Sequence, residues 1–404
     1  MTNAASDIRE RILSRLSDEP GRFLSGESLS REMNMTRAAV WKHMQSLRRA
    51  GWPLECVTRK GYRIPFDQAL PYSAAGIRVS LRMDEGGRLV RNPDGSLNPA
   101  GSLKPAGSLK PAGSGNLDGS LKPAGSGNLD GSRLNRKELD WQITVVEQTD
   151  STSSRLKELA LSGAPEGIAL FAEEQLGGRG RMGRSWSSLH GAGIWMSVLL
   201  RPEMAPDQVQ SITLAVSVAV VEALREFIAE VLSKADPAWA GFLAGSIGIK
   251  WPNDVLWNGK KICGILTELA AEPERLSHVV VGIGINVSHQ EEDFPEELRP
   301  TASSLRLMFS TEPLPDRNRI AALLLKHLSA VILEHRHEGM ARILQRWRDA
   351  SVTLGRKIRV LDPVDPWDAI AVDVGGDGRL LVERPDGSRT SLLSGEISIN
   401  ACTE

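Results

Sequence analysis

Hydrophobic positions recur along this chain with two periods, and the switches between them divide it into segments. Ile8, Ile12, Leu13 and Leu16 share one face of a helix over residues 7–19. Leu29 and Met33 mark a second helix. Asn34-Met35-Thr36 makes a tight turn with Thr36 as N-cap, and Val40, Met44 and Leu47 form the stripe of a third helix, which Gly51 ends. Residues 54–64, LECVTRKGYRI, predict a two-stranded hairpin with Arg59-Lys60-Gly61 near its tip. Further on, strands are expected over 141–148, 167–175, 193–201 and 278–287, with helices over 153–163, about 207–232 and about 316–350. Residues 248–269 read as strand, loop and hairpin, with Asn258-Gly259 as a two-residue turn. The tail alternates with period 2 between Gly-Asp-Gly and Pro-Asp-Gly turns, which predicts about five short strands and a small barrel.

Charge adds a second division. Residues 1–64 carry 12 Lys and Arg against 7 Asp and Glu, a net of +5, while the whole chain has a formal net charge of −1, so the remainder carries −6. A basic helix–turn–helix followed by a basic hairpin is the winged helix-turn-helix pattern, with the third helix reading the major groove of DNA and the hairpin touching phosphate or the minor groove. Thr36, Arg37, Trp41, Lys42, Gln45, Arg59 and Lys60 are its candidate DNA contacts. The alternative is a helical docking domain with a solvated basic face. Cys56, Cys263 and Cys402 are too scattered for a metal site or a redox pair, which predicts free thiols in a reducing cytoplasm. The longest apolar stretch, around Leu214–Leu224, holds Ser217 and Glu222 and is too short and polar to span a membrane.

Residues 95–130 are six hexapeptides in tandem, GSLNPA, GSLKPA, GSLKPA, GSGNLD, GSLKPA and GSGNLD. Two coils' worth of sequence with proline in four copies argues against a β-helix and for a flexible low-complexity insert. As a coil it spans roughly 30–36 Å, so the head is expected to be loosely tethered.

Two motifs carry chemistry. GGRGRMG, residues 177–183, contains Gly178, Gly180 and Gly183 in the dinucleotide-binding spacing. A dinucleotide turn needs a helix directly after the glycines, and RSWSSLHGAGIWMSV instead runs into a strand. Arg179 and Arg181 on glycine hinges fit better as a mobile clamp for an anionic ligand, since guanidinium binds phosphate bidentately. The other motif is Lys250-Trp251-Pro252-Asn253-Asp254 before a hairpin whose return strand begins Lys260-Lys261-Ile262-Cys263-Gly264. A lysine there can hold a carboxylate against an α-phosphate, and a nearby aspartate can bind Mg²⁺ or take a proton from an amine.

Taken together, these blocks resemble the biotin protein ligases, in particular the type that is both ligase and biotin-operon repressor. The resemblance rests on Gly26–Gln45, Asp150-Ser151-Thr152, Gln175 with 178–186, 250–254, Lys261 with Gly264, Gly282-x-Gly284-Ile285-Asn286, and Gly395-Glu396-Ile397-Ser398. It implies an α+β protein: an N-terminal winged helix-turn-helix (1–64), a linker (65–138), a mixed-sheet catalytic domain of the class II aminoacyl-tRNA-synthetase type (139–352) and a small SH3-like β-barrel (353–404). It implies that biotin and MgATP give biotinyl-5′-AMP, whose acyl group passes to a lysine of a biotin carboxyl carrier domain of acetyl-CoA carboxylase or another biotin-dependent carboxylase. It also implies operator DNA as a partner and a homodimer when biotinyl-AMP is bound.

Carried onto this chain, Ser151, Thr152, Ser153 and Gln175 would line the biotin site, with Gly264 and Asn286 beside them. Arg179, Gly180 and Arg181 would close over biotin and phosphate. Lys261 would touch carboxylate and α-phosphate, Asp254 would meet the acceptor lysine, and Trp186 and Trp195 would be apolar walls. No dedicated metal site is expected beyond Mg²⁺ with ATP, near Asp254. Ser153 departs from the family, which often has Asn there, and the hexapeptide insert is foreign to it; a slack tether would weaken repression while sparing catalysis. Lipoyl protein ligases, or a biotin-sensing DNA-binding protein without catalysis, are the rival readings.

Overall fold

The computed structural model describes residues 3–65, 68–83, 139–232, 236–271, 276–309, 315–362, 365–393 and 395–399. The hexapeptide repeat and Cys402 lie outside these residues. The chain divides into two compact units. The first holds the N-terminal segment together with Asp140–Val145 and Asp316–Ala322, and the second holds Val146–Pro315 and Leu323–Glu404.

In the first unit, α1 (Asn3–Asp18), α2 (Gly26–Glu32) and α3 (Arg37–Arg49) surround a core of Ile12, Leu16, Leu29, Val40, Met44 and Leu47. Thr36 caps α3 as expected, its Oγ1 accepting from the Ala39 amide at 3.2 Å. The hairpin of β1 (Glu55–Val57) and β2 (Gly61–Arg63) gains a third partner in Leu24, which exchanges two backbone hydrogen bonds with Tyr62. Gly61 is obligatory there: its φ is +110° and a Cβ would lie 2.0 Å from the Leu24 carbonyl oxygen.

An eight-residue helix, α4 (Ala74–Leu81), falls inside the stretch read from sequence as linker. Ser73 caps it, and its residues Ala74–Ser80 are all buried. Gly76 lets Asn318 approach, since a Cβ would sit 2.5 Å from Asn318 Oδ1. Asn318 in turn donates to Leu70 O at 2.9 Å, and Arg319 donates to Ser80 O at 2.7 Å. The buried Arg78 donates to Ile143 O at 3.0 Å. The segment after the wing, which the sequence reading assigned to the linker, is thus a packed element as far as residue 83, held by five or more polar contacts. Its AAGIRVSL sequence is too short to show a helical period.

The second unit is built on a seven-stranded sheet in the order β3-β4-β5-β9-β8-β7-β6. Its elements are β3 (Gln142–Thr149, beginning in the first unit), α5 (Thr152–Leu161), β4 (Ile168–Gln175), β5 (Gly193–Leu200), α6 (Val209–Leu232), α7 (Pro237–Gly245), β6 (Ile247–Lys250), β7 (Asp254–Trp257), β8 (Lys260–Ala271) and β9 (Leu276–Asn286). Asn258 and Gly259 have φ of 46° and 79°, the left-handed pair that a two-residue hairpin turn demands. Helix α7 was not anticipated from sequence; PAWAGFLAG is apolar all round, although Asp236 caps it and Pro237 opens it. On β8, Thr267 bonds Thr213 of α6 while Glu268 pairs with Lys157 of α5, so these helices cover opposite faces of the sheet.

Helices α8 (Leu305–Phe309), α9 (Arg317–Glu338, whose first turns belong to the first unit) and α10 (Ala341–Ala350) follow, with Gly339 at φ +76° between the last two. The tail forms β10 (Lys357–Val360), β11 (Trp367–Val374), β12 (Leu380–Glu383), β13 (Arg389–Leu392) and β14 (Ile397–Ile399), an antiparallel sheet ordered β13-β12-β11-β10-β14. The buried Trp251 ties it to the seven-stranded sheet, donating its indole N–H to Gly378 O at 3.1 Å.

The helical layer contains a half-buried ionic cluster. Both ring nitrogens of His327 face carboxylates, Nε2 lying 2.7 Å from Glu226 and Nδ1 3.4 Å from Glu222. Lys326 and Arg346 complete it at 2.7 and 2.9 Å. The His327 hydrogen bond, with Lys326 behind it, brings the Glu226 carboxylate down to about 2. Burial works against the His327 imidazolium, but the two glutamates outweigh it and raise its pKa. Glu226 therefore stabilises the fold above its ordinary range near 4.5, and loses that contribution as pH falls toward 2. His327 contributes fully below about 6.5 and loses its contribution as pH rises through its raised value. Glu226→Gln is expected to cost about 2 kcal/mol between pH 4.5 and 6.5, with the deficit shrinking on both sides. Urea midpoints of both proteins across pH 2–9 check this, and a pH-independent gap would refute it.

Candidate functional site

GGRGRMG is the tip of a small hairpin. Bridges pair Gln175 with Ser188 and Arg179 with Ser185, and the Trp186 amide donates to Gly178 O at 2.9 Å. Gly178 is required by that approach, since a Cβ would meet Trp186 O at 2.4 Å. Gly183 has φ +73° and Met182 +55°, which turns the tip. Gly180 has extended backbone angles, and its Cβ would find only ordinary contacts. Neither conformation nor packing requires glycine there. The strand that follows, not a helix, removes the dinucleotide reading.

This hairpin overhangs a cavity of about 1070 Å³. The cavity brings together every residue expected from sequence at the small-molecule site except Trp195. At one end lie Ser151, Thr152 and Ser153, at the start of α5, with Gln175 at the end of β4. Ser151 caps the helix through its Oγ. Gln175 Oε1 accepts from the Thr152 amide at 2.9 Å and from its hydroxyl at 3.0 Å, and Gln175 Nε2 donates to Ser188 Oγ at 2.9 Å. Ser197, in the middle of β5, joins Thr152 and Ser153 at 2.7 and 2.9 Å. Ser188 and Ser197 were not anticipated. A lone serine in the otherwise apolar GIWMSVLL was the available signal for Ser197.

At the other end, Lys261 Nζ lies 2.7 Å from Asp254 Oδ1 and 5.2 Å from the centre of the Trp186 ring. Trp186 lies on bare backbone: Gly264 and Gly284 are register partners on β8 and β9, and a Cβ on either would come within 2.8 Å of the indole. Arg181 donates to Asn253 Oδ1 at 3.3 Å and Gly395 O at 3.2 Å. Burial lowers its pKa, with Asp254 and Glu396 opposing, yet a guanidinium starting so high stays charged. Arg184 forks onto Glu396, and Arg179 lies 3.6 Å from Glu268. Asn286 lines the cavity while donating to Ser303 O at 3.0 Å.

Trp195 is a correction. It is wholly buried behind Trp186, edge-on at 6.5 Å, and lies outside the cavity lining, so it supports a wall without forming one. Burial raises the Cys263 thiol, which removes it as a nucleophile. Among the described residues no cluster of three or more His, Cys, Asp or Glu could hold a metal ion.

In the first unit, Thr36, Arg37, Trp41 and Lys42 are exposed on α3, Gln45 is half-buried below them, and Arg59 and Lys60 are exposed at the wing tip. Arg37 is ion-paired with Glu27 at 2.5 Å, which offsets part of its charge.

Comparison with known proteins gives three family matches: the biotin/lipoate A/B protein ligase family over residues 145–286, a helix-turn-helix domain over 8–63, and the biotin protein ligase C-terminal domain over 353–399. The chain is 30% identical to the bifunctional ligase/repressor BirA of Bacillus spizizenii over 394 residues, covering 98% of this chain and 99% of that one. It is 38% identical to the biotin–[acetyl-CoA-carboxylase] ligase of Mycobacterium tuberculosis, over 63% of this chain and 86% of the other. The solved biotin protein ligase of Aquifex aeolicus in complex with biotin and ATP matches with a TM-score of 0.51 and 27% identity, over 64% of this chain and 98% of that one.

The contacts of Arg184 and Arg181 latch the hairpin to the tail domain. Glu396→Ala is expected to speed limited tryptic cleavage within 179–184 by about two- to fivefold, the range open to an exposed ion pair. An unchanged rate would mean that the latch contributes nothing.

Proposed function

This chain belongs to the biotin protein ligases, in the bifunctional ligase/repressor branch, and from that premise we propose how its own residues do the work. It activates biotin with ATP and transfers it to a lysine of a biotin carboxyl carrier domain. The observation that carries the residue assignment is one cavity with a neutral hydrogen-bonding cradle at one end and Lys261, Asp254 and Arg181 at the other.

In the first step a biotin carboxylate oxygen attacks the α-phosphorus of MgATP, and the bond to pyrophosphate breaks. Lys261 neutralises carboxylate and α-phosphate as they meet, and Arg181 offers its fork to phosphate once it leaves Asn253 and Gly395. Trp186 covers the chain of biotin, while Ser151, Thr152, Ser153 and Gln175 hold its ureido ring. In the second step the acceptor ε-amine attacks the acyl carbon, AMP leaves, and the amine proton passes to Asp254. Magnesium would enter with ATP as part of the substrate, and Asp254 is a cavity carboxylate that could help to hold it.

The exposed basic face of α3 and the wing is the operator-binding surface, and the protein dimerises when biotinyl-AMP is bound. We divide the chain into a winged head over 1–64, a catalytic domain over 139–352 and a tail domain over 353–404. The reaction takes place in the cytoplasm, which the free thiols of Cys56 and Cys263 support, and no described helix is long and apolar enough to cross a membrane. The hydroxyl and amide cradle favours a ureido ring over the dithiolane of a lipoyl group, which offers no N–H.

Intact mass of a carrier domain after incubation with the protein, biotin and MgATP is expected to rise by one biotin, and only when ATP is present. Pyrophosphate release without that gain would mean the wrong acceptor, and the absence of both would refute the ligase. Lys261→Ala is expected to slow adenylation by about 10²–10³-fold; activity within about threefold of wild type would remove its role. Deletion of residues 95–130 is expected to leave biotin transfer unchanged, because the repeat holds no group that could do this chemistry. A folded deletion protein without activity would contradict that.

A further inference from the structure

The directions of the hydrogen bonds in the cradle can be assigned from the contacts alone, and they rest on a residue outside the family resemblance. The Thr152 backbone N–H can only donate, so the Gln175 atom 2.9 Å from it is the carbonyl oxygen. That oxygen can only accept, so the Thr152 hydroxyl donates to it at 3.0 Å. The Thr152 proton is then committed. The 2.7 Å contact between Thr152 and Ser197 therefore uses the Ser197 proton. Ser197 has no second proton, so the 2.9 Å contact with Ser153 uses the Ser153 proton. All donation runs one way, from Ser153 to Ser197 to Thr152 to the Gln175 carbonyl.

We propose that Ser197 is a positioning residue that sets the specificity of this cradle: it holds the Ser153 proton away from the cavity, so that Ser153 presents only lone pairs and selects a ligand with an N–H at that point. The proposal rests on the ligase reading and names the chemistry by which the cyclic urea is recognised. Ser197 is completely buried, while Ser153 lines the cavity. Gly282, the register partner of Ser197 on β9, keeps the Ser153 oxygen open, since a Cβ there would lie 2.8 Å from it. Serine at this position then offers an acceptor without the competing donor that an amide side chain would bring.

The test uses biotin and its two cyclic carbamate analogues, in which one or other ureido N–H is replaced by oxygen. The readout is kcat/KM for pyrophosphate release with the full-length protein. Wild type is expected to prefer biotin over at least one analogue by about 10- to 100-fold, because that analogue sets lone pairs against lone pairs. In Ser197→Ala the Ser153 proton is released and can turn to the ring oxygen, so the preference is expected to shrink to about threefold or less. Thr152→Val does the same from the other end, by freeing Ser197 to donate back to Ser153, and it serves if the first variant does not fold. A wild-type enzyme that turns over biotin and both analogues alike overturns the proposal, and so does an unchanged preference in a folded variant. Turnover of biotin itself reads the ligase assignment separately.

Discussion

The site depends on a sheet surface stripped to its backbone. Gly264 and Gly284 face each other across β8 and β9, and Gly282 lies one pleat further along. A methyl group on any of them would come within 2.8 Å of Trp186 or Ser153. Side chains at these positions would fill the volume that a ligand and the indole share. Glycine in strand interiors costs stability, since it packs nothing and loses more entropy on folding. The sheet compensates by burying its other positions, with Ile262, Cys263, Ile265, Val281, Ile283 and Ile285 all nearly inaccessible. The floor is thus thin on one face because it is densely packed on the other.

On this floor the charges are arranged so that none is buried alone. Lys261 meets Asp254, Arg181 meets Asn253 and a carbonyl, Arg184 meets Glu396, and Arg179 faces Glu268 beside Lys157. These partners are weaker than a phosphate would be, being neutral, exposed or shared. A guanidinium held by an amide and a carbonyl gives up little when an anion arrives, whereas one locked to a buried carboxylate would give up much. The tail sheet contributes to this balance through Gly395 and Glu396, which explains why residues so far along the chain fall within one functional pattern.

Much of this was legible because it depends on short spans. The Asn258-Gly259 turn, the Thr36 cap and the strand after GGRGRMG each need fewer than a dozen residues to recognise. What escaped depends on partners distant in sequence. Helix α4 is stabilised by Asn318 and Arg319, some 240 positions away, and carries no helical period of its own. Helix α7 is apolar on every side, so no stripe marks it. Trp195 faces the same side of the sheet as its register partner Gly284 but lies behind Trp186, and which of two tryptophans covers the other depends on a hairpin packing that no short span of sequence encodes.

The departure at Ser153 shows the same limit most sharply. From sequence it is a shorter side chain with an uncertain reach. Its meaning depends on the direction of a proton, and that direction is imposed from elsewhere. A backbone N–H of α5 fixes the amide of Gln175 on β4; that amide fixes the hydroxyl of Thr152; and Ser197 on β5 passes the constraint back to α5. Three elements must pack before one hydroxyl is an acceptor and not a donor. Burial makes the constraint hold, because a wholly buried Ser197 has no water with which to exchange its bonds. Specificity at this position is therefore a property of the packed sheet and helix, carried by a serine that never touches the ligand.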